Sequence, residues 1–509
     1  MIRSGDTYRQ SLQDGRAVWI DGAPVADVTQ DARFMPAVEL RARIHDMQSA
    51  PETRAAMVCS QDGEQVPVLA ALPFSQADWW AKRRASDLVL DAAGGIVFRI
   101  GDDTMGEIWS LRDAEDELNA IDPQFAANIK RVIHSSVHED AFVVTGNTDP
   151  KGDRSRSSGI QNPDQNPDMA LRVIRETDAG IVVRGAKFET AAAYANRAYT
   201  KPTIADWMTG DQSAHAVAFM CNLSSPGLKF LCRSSHLGRH SAADQPLSAR
   251  LDEIESLVVF DDVLVPWEDV IFYRHSRSAQ VVRASLHRYS AFAFLQRGLR
   301  LMDLLIGTAL LRLRQAGLDG QQPVQDRLGE MACFRESVNA HLIAAITMAE
   351  RSPSGLMMPN QSLLYAGRQL VTTGTHRMVQ IARELCGGQI ALTPDAASFA
   401  DPDIGPWLHA FHDPDSEVQP GDRHRLTAFA HDLLNSEQAS HRLNFFAFAQ
   451  GPAYTQSAAI YRNFDWDGPL ALVRAVAGLA EPKDADRAEN LADSAISRWF
   501  SQTRNPERP

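Results

Sequence analysis

The chain has 509 residues, 44% hydrophobic and 23% charged, a globular composition too long for one ordinary core, which predicts about three domains. Its net charge of −13 argues against nucleic acid or an anionic membrane surface as the main partner. Five scattered cysteines, Cys59, Cys221, Cys232, Cys333 and Cys386, lack Cys-x-x-Cys spacing and argue against a disulfide framework or zinc knuckle.

The first residues carry no apolar signal-like core, and no run approaches the length of a membrane helix, so a cytoplasmic protein is expected. Ala17 to Thr29 alternates apolar and polar residues around Asp21-Gly22, as a small hairpin would. From Asp103 to His138 the pattern is helical, with Ala126, Ile129, Val132 and Ile133 on one stripe. From Ala141 to Val270 the period shortens: Phe142-Val-Val, Leu171-Arg-Val-Ile, Gly180-Ile-Val-Val, Ala216-Val-Ala-Phe-Met and Ser256-Leu-Val-Val-Phe lie between turn residues. That predicts a small β-barrel or sandwich. Beyond Ser276 long helical patterns return at Val281–Leu313, Val324–Arg351, Gln361–Leu385 and about Arg423–Gln450, lengths that suit a bundle. Gly387-Gly388 caps the third.

The motif-bearing stretch is Asp149 to Thr190. Asp149-Pro-Lys-Gly-Asp-Arg-Ser155 and a polar loop run into two β segments that turn at Asp178-Ala179-Gly180. Backbone amides, a guanidinium and hydroxyls beside a sheet suit a flat polar heterocycle or its phosphates. No Gly-x-Gly-x-x-Gly strand–helix fingerprint, Walker loop or Gly-x-Ser-x-Gly elbow occurs. His134 and His138 are spaced i, i+4, but no third ligand is evident, so no metal site is expected.

With Arg3-Ser-Gly-Asp-Thr-Tyr-Arg-Gln-Ser-Leu, Gly180-Ile-Val-Val-Arg-Gly-Ala-Lys, Ser225-Pro-Gly-Leu-Lys, Phe260-Asp-Asp-Val-Leu-Val-Pro-Trp-Glu, Glu384-Leu-Cys-Gly-Gly-Gln-Ile and Asp403-Ile-Gly-Pro-Trp-Leu in order, nearly the whole chain resembles the flavin-dependent 4-hydroxyphenylacetate 3-hydroxylase oxygenase family. The resemblance implies an α+β, acyl-CoA dehydrogenase-like fold: a mainly helical N-terminal domain (1–140), a middle β-barrel domain (141–275), a C-terminal helical bundle (276–480) and a tail (481–509). It implies reduced FAD, in preference to FMN, delivered by a separate NAD(P)H-dependent flavin reductase. A small aromatic or heteroaromatic substrate would be hydroxylated with O2 through a C4a-hydroperoxyflavin, in a homotetramer. A flavin dehydrogenase on the same scaffold and a non-catalytic homologue are the alternatives. 4-Hydroxybutyryl-CoA dehydratase, on the same scaffold, needs a cysteine-rich iron–sulfur site that this chain does not supply.

Carried over by position, the flavin contacts are Lys151, Gly152, Asp153, Arg154 and Ser155, then Thr190, then Gln438, Ala439, Ser440 and His441, where the family more often has Arg at the last place. The substrate contacts are Gly146, Pro202 and Thr203, and Arg112, Asp116 and His287 are the catalytic candidates, Arg112 reaching the substrate. Two departures stand out: the family's Tyr four residues after the Arg is Asp116, and its His falls at Gly146. The pocket is therefore retuned, and a ring N–H facing Asp116 is one expectation. His287 is a candidate base, because some halophenol-oxidising relatives keep a pocket His on that helix. Arg297 matches a family Arg and suits a subunit interface or a flavin phosphate. Arg112 and Asp116 equally suit an i, i+4 surface ion pair, Arg154-Ser155 a solvated loop, and Thr190 a packing role beside a strand.

Overall fold

The computed structural model describes residues 2–150, 168–202, 210–279, 287–412, 421–449 and 451–479. The N-terminal part carries helices α1 (Gly5–Ser11), α2 (Met35–Met47), α3 (Arg54–Met57), α4 (Gln76–Ala92), α5 (Asp102–Ser110), α6 (Glu115–Ile121) and α7 (Pro123–His138). Their starts are written in the sequence. Ser75 and Asp78 close a capping box on α4, and Asp122 caps α7 with Pro123 at its first position. Trp79 of α4 and Trp109 of α5 pack with Tyr289, which fixes α5 between the first bundle helix and the middle sheets.

The hairpin β1 (Ala17–Ile20) and β2 (Ala23–Val25) forms at Asp21-Gly22, both with positive φ, 54° and 76°, as a tight hairpin turn requires. A second hairpin joins β3 (Val58–Gln61) and β4 (Glu64–Pro67). The middle part contributes β5 (Val143–Gly146), β6 (Arg172–Thr177), β7 (Gly180–Thr190), β8 (Arg197–Thr200), β9 (Val217–Asn222), β10 (Leu228–Cys232), β11 (Glu255–Pro266) and β12 (Val270–Tyr273). The barrel-like unit is two sheets, ordered β2-β1-β10-β11-β7-β6 and β12-β9-β8-β5. The first hairpin thus belongs to the larger sheet, β1 lying parallel to β10. Thr148 bridges to Phe188 just past β5, so the chain crosses from the smaller sheet to the larger at that point. Ile181, Val183, Val258, Phe260 and Phe219 fill the space between the sheets.

The bundle is α8 (His287–Gln315), α9 (Gln322–Thr347) and α10 (Gln361–Cys386), followed by α11 (Ala396–Ala400), α12 (Gly405–His412), α13 (Asp422–Asn435), α14 (Glu437–Phe448), α15 (Ala453–Asn463) and α16 (Asp467–Ala477). The single helix expected over Arg423–Gln450 is two. Ser436 has extended backbone and its hydroxyl accepts the Ala439 amide, the geometry of an N-cap. Among the described residues no helix is long and apolar enough to cross a membrane. All five cysteines are free thiols.

Candidate functional site

Strand β7 organises the site because its two faces carry different chemistry. Phe188 and Thr190 point outward, whereas Lys187 and Glu189 point between the sheets, each 2% exposed. The outer face is an apolar shelf of Phe188, Leu257 and Leu231, adjacent across β7, β11 and β10. Phe188 is 44% and Leu231 42% exposed. At its end Thr190 pairs across the ladder with Glu255, and Glu255 Oε1 receives His441 Nε2 at 2.8 Å. Arg233 also binds Glu255, and Asp252 as well. Burial opposes ionisation of Glu255, but His441 and Arg233 hold its carboxyl below the usual range.

Two sequence segments expected to touch flavin, Thr190 and 438–441, therefore meet through Glu255. Because Ser436 starts a helix, Gln438, Ala439, Ser440 and His441 form its first turns, where amides and the helix dipole favour an anion. Gln438 is buried and accepts from Arg442, Ala439 is buried against the cap, and Ser440 is exposed. Residues 151–155, the remaining flavin segment, lie outside the described residues. The chain enters them just past Thr148, whose carbonyl accepts the Phe188 amide at 2.7 Å. An apolar shelf edged by a hydroxyl and a helix N-terminus has the chemistry to take a flat ring system with an anionic tail.

A second cluster joins the segments expected to touch substrate. Glu107 of α5 accepts Lys201 Nζ at 2.6 Å and Thr145 Oγ1 at 3.1 Å, and Thr145 meets Thr104 at 2.9 Å. The Lys201 amide donates to the Gly146 carbonyl at 3.0 Å. Lys187 Nζ reaches the Lys201 carbonyl at 2.9 Å and Asp149 at 2.5 Å. Gly146, Pro202 and the helix leading to Arg112 are thereby tied together. Burial lowers the Lys201 ammonium, an effect that Glu107 offsets only in part.

Arg112 is half-buried, with its guanidinium 5.5 Å from the Phe74 ring centroid. It makes no ion pair or hydrogen bond among the described residues, so the i, i+4 pair with Asp116 does not form. Asp116 is exposed, in the first turn of α6 beside Glu115 and Glu117, where acids complement the helix dipole. The expectation that it faces a ring N–H inside the subunit is corrected accordingly. Pro202 is half-buried, while Thr203 lies outside the described residues. His287 opens α8, and its side chain is likewise outside them.

Arg297 also departs from expectation. It is 4% exposed and fully engaged within the chain, with Asp102 at 2.6 Å and the Phe98 and Ala293 carbonyls, so it reaches neither an interface nor a phosphate. His134 and His138 stack at 4.3 Å, and His138 meets Glu64 at 3.1 Å. No group of three metal-capable side chains occurs among the described residues.

Sequence reasoning overlooked Glu107, Lys187, Glu189, Lys201 and Glu255. A signal existed for two of them: Lys187 and Glu189 stand in period-2 register with Ile181 and Val183, so the apolar pattern itself puts two charges on the inward face. Gly146 explains how one of them fits. A Cβ there would lie 2.1 Å from Glu189 Oε1 and 3.0 Å from Thr200 Oγ1, so the Glu189 carboxyl occupies the space a side chain at 146 would take. A separate cavity of about 30 Å³, lined by Arg41, Gln48, Ser136 and Asp140, has room for water rather than an aromatic ring.

Comparison with known proteins matches residues 4–272 to the 4-hydroxyphenylacetate 3-hydroxylase N-terminal family and residues 277–478 to its C-terminal family. The chain is 27% identical over 414 residues to the 4-hydroxyphenylacetate 3-monooxygenase oxygenase component of Thermus thermophilus, covering 81% of this chain and 84% of that protein. It is 26% identical over 534 residues to the oxygenase component of the 4-nitrophenol 4-monooxygenase/4-nitrocatechol 2-monooxygenase of Rhodococcus opacus, covering 99% and 97%. A crystal structure of a 4-hydroxyphenylacetate 3-monooxygenase oxygenase component complexed with FAD superposes with a TM-score of 0.86 at 24% identity, over 93% of this chain and 98% of that one.

Proposed function

Because the chain belongs to the 4-hydroxyphenylacetate 3-hydroxylase family, we propose that it is the oxygenase component of a two-component system, a reduced-FAD-dependent monooxygenase that hydroxylates an aromatic small molecule. Reduced FAD supplies the chemistry that activates oxygen; the protein supplies position, charge and exclusion of water. The observation that carries this reading is the meeting of Thr190 and the first turn of α14 at the edge of the Phe188–Leu257–Leu231 shelf. With FAD bound, Thr190 and Ser440 would offer hydroxyls to it, and the amides at the start of α14 would offer donors to its phosphates. His441, held by Glu255, takes the place at which the family more often has an arginine. Arg112, which makes no ion pair or hydrogen bond among the described residues, would be available for a substrate's negative charge. Gly146 and Pro202 are the other residues expected on the substrate side.

The test is turnover with reduced FAD supplied by a separate NAD(P)H-dependent flavin reductase, a panel of phenols and isotopically labelled oxygen gas. One labelled oxygen atom in a ring-hydroxylated product is expected. Formation of hydrogen peroxide alone across the panel would overturn the reading, and bleaching of oxidised FAD by substrate without air would indicate a dehydrogenase instead.

A homotetramer is part of this proposal, supported by apolar side chains that the single subunit leaves in solvent. Tyr454, Tyr461, Leu472 and Val476 are 72%, 68%, 66% and 82% exposed, more than a lone soluble subunit would normally gather on adjacent helices. Leu472 and Val476 share one face of α16. Changing both to Asp should convert a tetramer to smaller species by sedimentation, and a wild-type chain that sediments as a monomer would refute the assembly.

A further inference from the structure

We propose that Glu189 is a catalytic base of this site: its carboxylate receives the proton of the substrate's aromatic hydroxyl at the point where the substrate meets Gly146. The inference rests on the reading of Gly146, Arg112 and Pro202 as the substrate side of the monooxygenase. In the proton transfer the substrate O–H bond breaks, its electron pair stays on the ring oxygen, and the proton bonds to a Glu189 oxygen. Charge delocalised from that oxygen makes the ring carbons beside and opposite it better nucleophiles towards activated oxygen.

Three observations carry the assignment. Glu189 is 2% exposed, and neither of its oxygens has a hydrogen-bond partner among the described residues. A buried carboxyl left unsatisfied costs folding free energy without return unless something else uses it. Its oxygen occupies the volume above Gly146, on the side of the Thr200 hydroxyl, which is also buried and has no partner among the described residues. Acceptor and hydroxyl thus flank the one backbone position at which the expected pocket has no side chain of its own.

The groups around Glu189 explain its protonation. Lys187 lies two residues along on the same face of β7, Cys221 of β9 is close enough for Glu189 to raise its thiol, and Ser256 is the cross-strand neighbour. Asp149 and the Lys201–Glu107 pair stand beyond Lys187. Burial pushes the Glu189 carboxyl up to about 8 against the pull of the Lys187 ammonium. A base of that strength is far better matched to a phenol than an ordinary carboxylate is.

The experiment compares wild type, Glu189→Gln and Glu189→Asp on two probes: 4-hydroxyphenylacetate, a weakly acidic phenol, and 4-nitrophenol, which ionises readily without help. FAD binding serves as the folding control. On the weak acid, Glu189→Gln is expected to lower kcat by roughly 10²–10³-fold with little change in KM, and to remove a wild-type rise in rate through about pH 8. On 4-nitrophenol the loss should stay below about 10-fold, because no proton remains to be taken. Equal losses on both phenols, or an unchanged pH profile, would overturn the assignment.

Should Glu189→Gln fail to bind FAD, Glu189→Asp decides: it keeps the rise at a reduced kcat, and unaltered kcat and profile refute the role. Wild type that hydroxylates neither phenol defeats the phenol-monooxygenase reading itself, and Glu189 with it. Wild type that turns both over no faster than Glu189→Gln defeats Glu189 alone.

Discussion

Lys201→Met is expected to lower the free energy of unfolding by about 3–5 kcal/mol, the usual cost of removing one partner from a buried ion pair. Lys201 is 1% and Glu107 7% exposed, and the 2.6 Å bond between them neutralises a carboxylate that water cannot reach. Methionine keeps most of the aliphatic stem, so the loss measures the stranded charge more than a cavity. The check is the urea midpoint, with Glu107→Gln/Lys201→Met as the second corner of the comparison. The double variant should regain much of the loss, because the uncompensated charge is gone. A double variant as unstable as the single one would place the cost in packing.

The elements legible in the sequence are those fixed by local chemistry. Asp21-Gly22 dictates a hairpin wherever its strands go, but nothing local says that Ala17–Trp19 will align parallel to Lys229–Leu231, two hundred residues away. Long apolar stripes marked α8 to α10 for the same reason. The break at Ser436 was legible in principle, as Ser before Glu437 is a cap signal. The apolar stripe running through both helices concealed it.

The site divides along the same line. Thr190 and the 438–441 segment are expected at the flavin from their positions in motifs, and only the structure shows what links them, Glu255, whose meeting with His441 depends on packing a bundle helix onto a sheet edge. Asp116 and Arg297 went the other way. A motif position does not reveal that a carboxylate will face solvent, or that a guanidinium will be consumed by Asp102. Glu189 lies within the Asp149–Thr190 stretch yet carries meaning only once Gly146 is seen beside it.

Glu189→Gln should also stabilise the protein where it disables it. The folded-state carboxyl, raised to about 8, holds its proton after the unfolded chain has released its own, at an ordinary pKa of about 4.3. Below that lower value both states are protonated and the residue is neutral in the balance. Between the two values the unfolded state binds fewer protons, so stability declines as pH rises, and above the upper value the loss is complete. The full swing is on the order of 3–5 kcal/mol, and glutamine, which never ionises, escapes it. Wild type and variant should therefore unfold at similar urea concentrations near pH 5 and diverge towards pH 8.5 (both pH values are about the ends of that window), the variant being the more stable. Parallel midpoints across this range would mean that the carboxylate is solvated or paired in the folded state. The opposed signs matter for interpretation: a buried acid kept only for structure would lose nothing on becoming an amide. One whose replacement strengthens the fold at alkaline pH, while removing turnover of weakly acidic phenols, is maintained for its charge.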